Sequence, residues 1–242
     1  MNPLISQYML DSASVMNAEI PKVDFHIHTN FTDGKASIEQ VVEIAIKKGM
    51  KAICFTEHTE PWQHKHANWF NNYVNQIEEQ RVLRHEEIHL FIGIEAPLLN
   101  FDGKIEATTE MISKVDFVLG AAHRYPTIEG RKVSDLSPTE AIDLEFRSLE
   151  SLIYNTEVDC IAHIGATCSK YVTEFPKTLT EELIKLAAKE NKIIEINPVY
   201  HQPLKDFLKL CTKHNVQVSL GSNAHGFGDI GMVSEKLIEI LR

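Results

Sequence analysis

Seven short apolar segments alternate along the chain with stretches of helical periodicity, and this alternation restricts the possible folds more than any other feature. The apolar segments are typical of buried strands and lie at residues 22–28, 52–58, 89–96, 117–123, 160–165, 193–197 and 216–225. The stretches between and after them predict helices at residues 37–48, 68–87, 108–114, from 137 onward, 179–190, 203–214 and 233–241. Strands that alternate with helices in this way predict a parallel sheet covered by helices.

The positions of the polar residues at the strand ends favour a barrel of parallel strands over an open sheet, and the length allows one. A chain of 242 residues suits a single α/β barrel domain. No GxGxxG follows the first strand, so nothing in the sequence supports dinucleotide binding. We expect one domain over residues 21–242 and an N-terminal extension over residues 1–20, whose composition makes it a poor signal peptide.

Composition and charge indicate where the protein is located and which classes of partner it can bind. The four cysteines have no CxxC spacing, and we read them as reduced thiols of a cytoplasmic protein. No apolar run approaches 18 residues, so we expect no membrane span. The formal charge of −10 argues against a nucleic-acid partner, but it does not exclude a small anionic substrate at a metal site. The sequence does not predict an oligomeric state.

Half of the 12 histidines lie at or near the carboxyl ends of predicted strands. These are His26, His28, His58, His123, His163 and His225. Glu95 ends a further strand segment, Asn223 lies beside His225 at the end of the last one, and Asp33 lies in a turn after the first strand. The carboxyl ends of barrel strands carry the active site in barrel enzymes, and imidazoles that converge with carboxylates are what a divalent-metal cluster needs. We therefore predict a metal site at this edge of the sheet.

The ordered motifs HIHTNFTDG, TEH, GIEA, GAAH, IAHIG and GSNAH resemble those of the PHP (polymerase and histidinol phosphatase) family. The resemblance runs from about Lys22 to the C-terminus. HxH alone is a weak signal, whereas the ordered set is specific. The resemblance implies a distorted (β/α)7 TIM-like barrel that holds two or three divalent metal ions and acts as a phosphoesterase. Nitrogen and oxygen ligands without thiolate suit zinc, manganese or iron.

The resemblance also implies a set of metal ligands, motif by motif. One ion would be bound by His26, His28, Glu95 and Asn223. Glu95 would bridge to a second ion, which would be bound by His123 and His163. A third ion would be bound by Asp33, His58 and His225.

Asn223 departs from the family pattern, which usually has aspartate at this position. An amide oxygen can bind a metal, but it carries no charge and cannot act as a base. Three interpretations stay open: the site tolerates asparagine with weaker binding of one ion, the protein is a less active or substrate-shifted member, or an Asp→Asn change was introduced.

The implied reaction is hydrolysis of a small phosphate ester by metal-activated water, with L-histidinol phosphate as the best single substrate. Glu95 and Arg124 are the predicted catalytic residues, and Arg124, Tyr200 and His201 the predicted substrate contacts. Arg131 and Lys170 are weaker candidates for a phosphate-binding cation. The alternatives are a phosphodiesterase or nuclease acting on nucleotides, a phosphotyrosine phosphatase, and a catalytically impaired metal-binding or regulatory protein, which only Asn223 favours.

Overall fold

A computed structural model describes residues 2–15, 20–64 and 66–241. Its strands are β1 Leu10–Asp11, β2 Val23–Ile27, β3 Ala52–His58, β4 His89–Pro97, β5 Phe117–Ala121, β6 Cys160–Ile161, β7 Ile193–Ile196 and β8 Gln217–Leu220. Its helices are α1 Pro3–Ser6, α2 Ser12–Val15, α3 Ile38–Lys47, α4 Trp69–Arg84, α5 Thr109–Lys114, α6 Pro138–Tyr154, α7 Ala166–Tyr171, α8 Lys177–Lys189, α9 Leu204–His214 and α10 Met232–Leu241. Short 3-10 helices lie at Pro61–Gln63 and Val133–Asp135.

The strands form one curled sheet whose two ends meet. Strands β2 to β8 are parallel and follow one another in chain order, and β1 pairs with β8 in the antiparallel direction. A parallel bridge joins Ile27 to Ala224, and the His28 N–H donates to the Ala224 carbonyl at 2.9 Å. The predicted distorted barrel of seven parallel strands is therefore confirmed, with β1 added at its edge.

Two strands end four or five residues before the ends that the apolar pattern predicts. β6 stops at Ile161 and β8 at Leu220, whereas the pattern extends to residues 165 and 225. The backbone φ angle is 22° at His163 and 50° at Asn223, and these positive values are incompatible with an extended strand. The predicted ends of these strands are therefore wrong, and both corrections fall on predicted metal ligands. The pattern also does not predict α7, which begins directly after the left-handed Gly165.

The described part of the N-terminal segment packs against the barrel at the end opposite the predicted metal ligands. Ile5 is fully buried, and the Tyr8 ring lies against Phe25 and Phe91. The Tyr8 hydroxyl also lies 2.5 Å from Nδ1 of His89, the first residue of β4. Residues 1 and 16–19 of the predicted extension lie outside the described residues, and the division of the chain at residue 20 stays a prediction.

None of the described helices is both long and apolar enough to cross a membrane. The cytoplasmic location stays a prediction.

Replacement of Ile5 by alanine should lower the free energy of unfolding by about 2–4 kcal/mol, because it removes a fully buried side chain. Leu4 is the matched control, since its side chain is 45% exposed. Leu4→Ala should change the free energy by no more than about 0.5 kcal/mol. Urea denaturation of both variants measures the difference, and equal effects would show that the segment does not pack as described.

Candidate metal centre

A pocket of about 380 Å³ opens at the carboxyl ends of the parallel strands. Several of the predicted metal ligands line it: Asp33, His58, Glu95, His123, His163, Asn223 and His225. His26 and His28 lie beneath its floor, both buried. The two histidines point to the same face of β2, as the alternation of side chains in a strand requires, and their Nε2 atoms lie 3.0 Å apart.

The Glu95 carboxylate lies at the centre of the histidines and is fully buried. Its Oε1 lies 3.0 Å from His123 Nε2 and 2.9 Å from His163 Nε2. Its Oε2 lies within 3.1–3.4 Å of a nitrogen atom of three more histidines, which are His26, His28 and His58. Five imidazoles thus surround one carboxylate at the end of β4.

Several buried polar atoms of this pocket have no hydrogen-bond partner. They are Glu95 Oε2, Glu60 Oε2, His28 Nδ1, His58 Nδ1 and Asn223 Oδ1. A buried polar atom without a partner costs about 1–3 kcal/mol. The donor set therefore fits divalent metal ions.

The ligand atoms fall into three groups, each of which could hold one ion. The groups are His26, Glu95 and His163; His58, Glu60 and His123; and His28, Asp33, His58 and His225. The third contains the predicted trio of Asp33, His58 and His225. The other two divide the ligands differently from the prediction, since His28 lies with the third group and His123 lies with Glu60.

Glu195 contacts two of the histidines, although no role was predicted for it from the sequence. Its Oε1 lies 2.7 Å from His26 Nδ1, and its Oε2 accepts the backbone N–H of His163 at 2.7 Å. A carboxylate on one ring nitrogen of a histidine leaves the other nitrogen free for a metal. Gly221 makes room for this carboxylate, because a Cβ atom there would lie 2.1 Å from Glu195 Oε1. The signal in the sequence was a charged residue inside the apolar strand β7.

Glu60 is a second site residue that the sequence argument missed. It is buried, and its Oε1 lies 3.3 Å from His123 Nδ1. Its Oε2 lies 3.7 Å from His58 Nδ1. The spacing of two residues after His58 could have indicated it, because such residues can share a side of an extended segment.

Glu57 fixes the turn that carries Asp33. Its Oε1 accepts the backbone N–H of Thr29 at 2.7 Å and the Thr29 hydroxyl at 2.5 Å, and its Oε2 accepts the Thr32 hydroxyl. The turn is tight, since a Cβ atom on Gly34 would lie 2.4 Å from the His28 carbonyl oxygen. Asp33 is thereby held with Oδ1 at 3.2 Å from His225 Nε2 and 3.6 Å from His58 Nε2.

Asp24 fixes the loop that carries Asn223 and His225. It is fully buried in β2 and accepts the backbone N–H groups of Ser222 at 2.9 Å and of Gly231 at 2.8 Å. Within the loop, His225 Nδ1 lies 2.9 Å from the Asn223 carbonyl oxygen. A proton on Nδ1, donated to this carbonyl, directs the lone pair of Nε2 towards the pocket.

The carboxylates and the histidines shift the pKa of one another strongly. Burial opposes ionisation of Glu95, yet the charges of His123 and His26 lower the pKa of Glu95 well below its ordinary value. Burial also opposes the charged form of His58, but the nearby carboxylates of Asp33 and Glu95 raise the pKa of His58 to about 11. Without a metal, protons on the histidines balance the buried carboxylates, and a divalent cation can replace those protons.

The predicted substrate contacts differ in position. Arg124 lines the pocket, with its guanidinium 4.1 Å from the centre of the Trp62 ring and 3.4 Å from Glu106 Oε2. Tyr200 also lines the pocket, and its ring centre lies 5.2 Å from that of His163. His201 does not line it: its ring is buried against Phe207 in a neighbouring cavity.

Of the two weaker candidates for a phosphate-binding cation, one lines the metal pocket and the other does not. Lys170 is a lining residue of the metal pocket. Arg131 is not, and it pairs with Glu140 at 3.3 Å.

A sequence model of the PHP domain matches residues 24–199. The chain belongs to the PHP domain family. The predicted resemblance is confirmed, and the chain is classed with the metal-dependent phosphoesterases of this family. Asn223 and His225 lie beyond the matched residues, so their roles rest on the geometry of the pocket.

Two curated relatives of this PHP protein carry the name "Probable phosphatase". The Caldicellulosiruptor saccharolyticus protein is 29% identical over 229 residues, which is 90% of this chain and 87% of the relative. The Caldicellulosiruptor bescii protein is 30% identical over 229 residues, which is 90% of this chain and 86% of the relative.

The fold is similar to that of histidinol phosphate phosphatase from Lactococcus lactis, solved with zinc, L-histidinol and phosphate. The TM-score is 0.69 over 90% of this chain and 93% of that one, at 20% sequence identity. At this identity the likeness concerns the fold alone.

Addition of Mn²⁺ or Zn²⁺ at about 100 times its dissociation constant should raise the melting temperature of this protein by about 5–10 °C. His58→Ala should remove most of this increase, because His58 belongs to two of the three ligand groups. His85→Ala is the control and should keep the increase, since the His85 side chain is 71% exposed on the surface. A full increase in His58→Ala would contradict the ligand groups.

Proposed function

We propose that this protein is a metal-dependent phosphomonoesterase that hydrolyses a small phosphate ester, with L-histidinol phosphate as the first candidate substrate. The observation that carries the proposal is the fully buried Glu95 carboxylate, surrounded by five imidazoles at the floor of an open pocket with a cation at its rim. Divalent ions in such a centre supply Lewis-acid charge and activate water as a nucleophile.

The proposed metal ligands follow the three groups of the pocket. One ion is held by His26, Glu95 and His163, a second by His58, Glu60 and His123, and a third by His28, Asp33, His58 and His225. Since His58 appears in two groups, two or three ions fit the set. Glu195 acts as a positioning residue, because it fixes the ring of His26 and the backbone of His163.

The phosphate group would lie on the open side of this centre, where Arg124 provides a positive charge. The Trp62 ring and the Glu106 carboxylate hold the guanidinium beside the pocket. A guanidinium placed in advance can stabilise the negative charge that grows on the phosphoryl oxygens as the bond to the alcohol breaks. Lys170 and Tyr200 line the same pocket and could contact the ester from the other side.

The choice of L-histidinol phosphate is supported by the fold shared with an enzyme solved with L-histidinol and phosphate, and by a pocket of a size for a small molecule. His201, which the sequence argument offered as a substrate contact, is buried outside the pocket lining. We therefore leave it out of the proposed substrate contacts.

We propose that Asn223 is a neutral metal ligand of a working enzyme. Its Oδ1 is buried without a hydrogen-bond partner, and the residue lines the pocket. An amide oxygen in this position can bind a cation, but it adds less attraction than a carboxylate would. The protein should accordingly need a higher metal concentration for activity than a protein with aspartate at this position.

Asn223→Asp should lower the metal concentration for half-maximal activity at least about tenfold, because it adds a negative charge beside the ions. The measurement is phosphate release from L-histidinol phosphate and other phosphomonoesters across a range of Mn²⁺ concentrations, for both proteins side by side. Comparable rates at saturating metal are expected. Release by the aspartate form alone would mean that Asn223 disables the enzyme, and release by neither form would refute the phosphomonoesterase proposal.

Arg124→Ala should lower kcat/KM for phosphate release about 10²–10³-fold, as expected for loss of a group that stabilises transition-state charge. Arg131→Ala removes the same side chain at a place outside the pocket, where Arg131 pairs with Glu140. It should leave kcat/KM within about twofold. Equal losses in the two variants would remove Arg124 from the proposed mechanism.

A further inference from the structure

A second cavity adjoins the metal pocket and is larger than the pocket itself. Its volume is about 480 Å³, and its walls are the segment after β3 and the segment between β4 and α5. A bridge between Leu98 and Ile105 folds the second segment into a short hairpin beside the cavity. The lining is mainly apolar, with Trp69, Leu99, Ile105 and Met111 among its residues.

Adjacent residues line the cavity on one side and the metal pocket on the other. Glu106 lines the cavity and Arg124 lines the pocket, and the two side chains meet at 3.4 Å. On the other wall, Pro61 lines the cavity while its neighbours Glu60 and Trp62 line the pocket. A molecule that binds beside Arg124 can therefore extend directly over Glu106 into the cavity.

The alcohol part of an ester would share the metal pocket with the other groups bound there. Its volume of about 380 Å³ must accommodate two or three ions, the phosphate group and water. The cavity on the opposite side, next to Tyr200, measures about 100 Å³. An enclosed cavity of about 150 Å³ holds one benzene molecule, so of these two cavities beside the metal pocket the larger one has room for a ring.

We propose that the cavity lined by residues of 59–64, 66–69 and 99–111 binds the alcohol part of the phosphate ester, and that it selects alcohols that carry a ring or another large apolar group. The inference rests on the proposed phosphomonoesterase function. The apolar lining favours such a group, since its burial adds binding energy that a small alkyl group cannot supply. Phosphate esters of small aliphatic alcohols are poor substrates.

The test compares two esters with similar leaving groups, 2-phenylethyl phosphate and ethyl phosphate, with Mn²⁺ present. This protein should hydrolyse the phenyl ester with at least about tenfold higher kcat/KM. Ala107→Phe fills the cavity from the α5 side and should lower that ratio about tenfold. Leu99→Trp fills it from the hairpin and should act in the same way.

Ser113→Phe is the matched control, because it adds the same ring to an exposed position of α5 that does not line the cavity. It should leave the ratio unchanged. A ratio near one in the unsubstituted protein, or equal ratios in all four proteins, would refute the role of the cavity while release of phosphate upholds the proposed function. Release of phosphate from L-histidinol phosphate but from neither of these two esters would refute the inference alone, and release from none of the three would refute the proposed function as well.

Discussion

The site depends on one buried negative charge, the carboxylate of Glu95. Five histidines contact it: His26, His28, His58, His123 and His163. A carboxylate with no exposure to water is very unfavourable unless positive charge compensates it. Protons on the histidines can supply that charge, and divalent ions can supply it better because they also satisfy the buried atoms that have no hydrogen-bond partner. The surrounding residues fix the imidazoles in place for this purpose.

The barrel brings these groups together at the cost of local backbone strain. The five imidazoles come from four different strands or the segments directly after them, so their convergence requires a closed arrangement of strands. His163 and Asn223 adopt positive φ angles, which are unfavourable for residues other than glycine. Buried carboxylates support these segments: Glu195 holds the backbone of His163, and Asp24 holds the loop of Asn223. The strained residues are therefore held by the same buried polar network that orders the site.

The sequence predicts the barrel and the family well because both depend on periodic or ordered features. Strand β3 has the predicted bounds, and the ordered motifs identify the PHP family. The groups into which the ligand atoms fall depend on side-chain positions across the barrel, which periodicity does not report. Glu195 gave a weak signal, since a single acid in an apolar strand does not reveal that Gly221 leaves it room beside His26. The early ends of β6 and β8 follow from φ angles that apolar periodicity does not report.

A crystal of this protein grown with Zn²⁺ and measured above and below the zinc absorption edge would test the central claim most directly. The account predicts anomalous peaks on both sides of the Glu95 carboxylate, each at about 2.0–2.2 Å from a carboxylate oxygen and about 2.0–2.1 Å from histidine nitrogens. Two or three peaks among the three ligand groups would support the proposed centre. The absence of any peak within the pocket, with Glu95 bound only by protonated histidines, would contradict it.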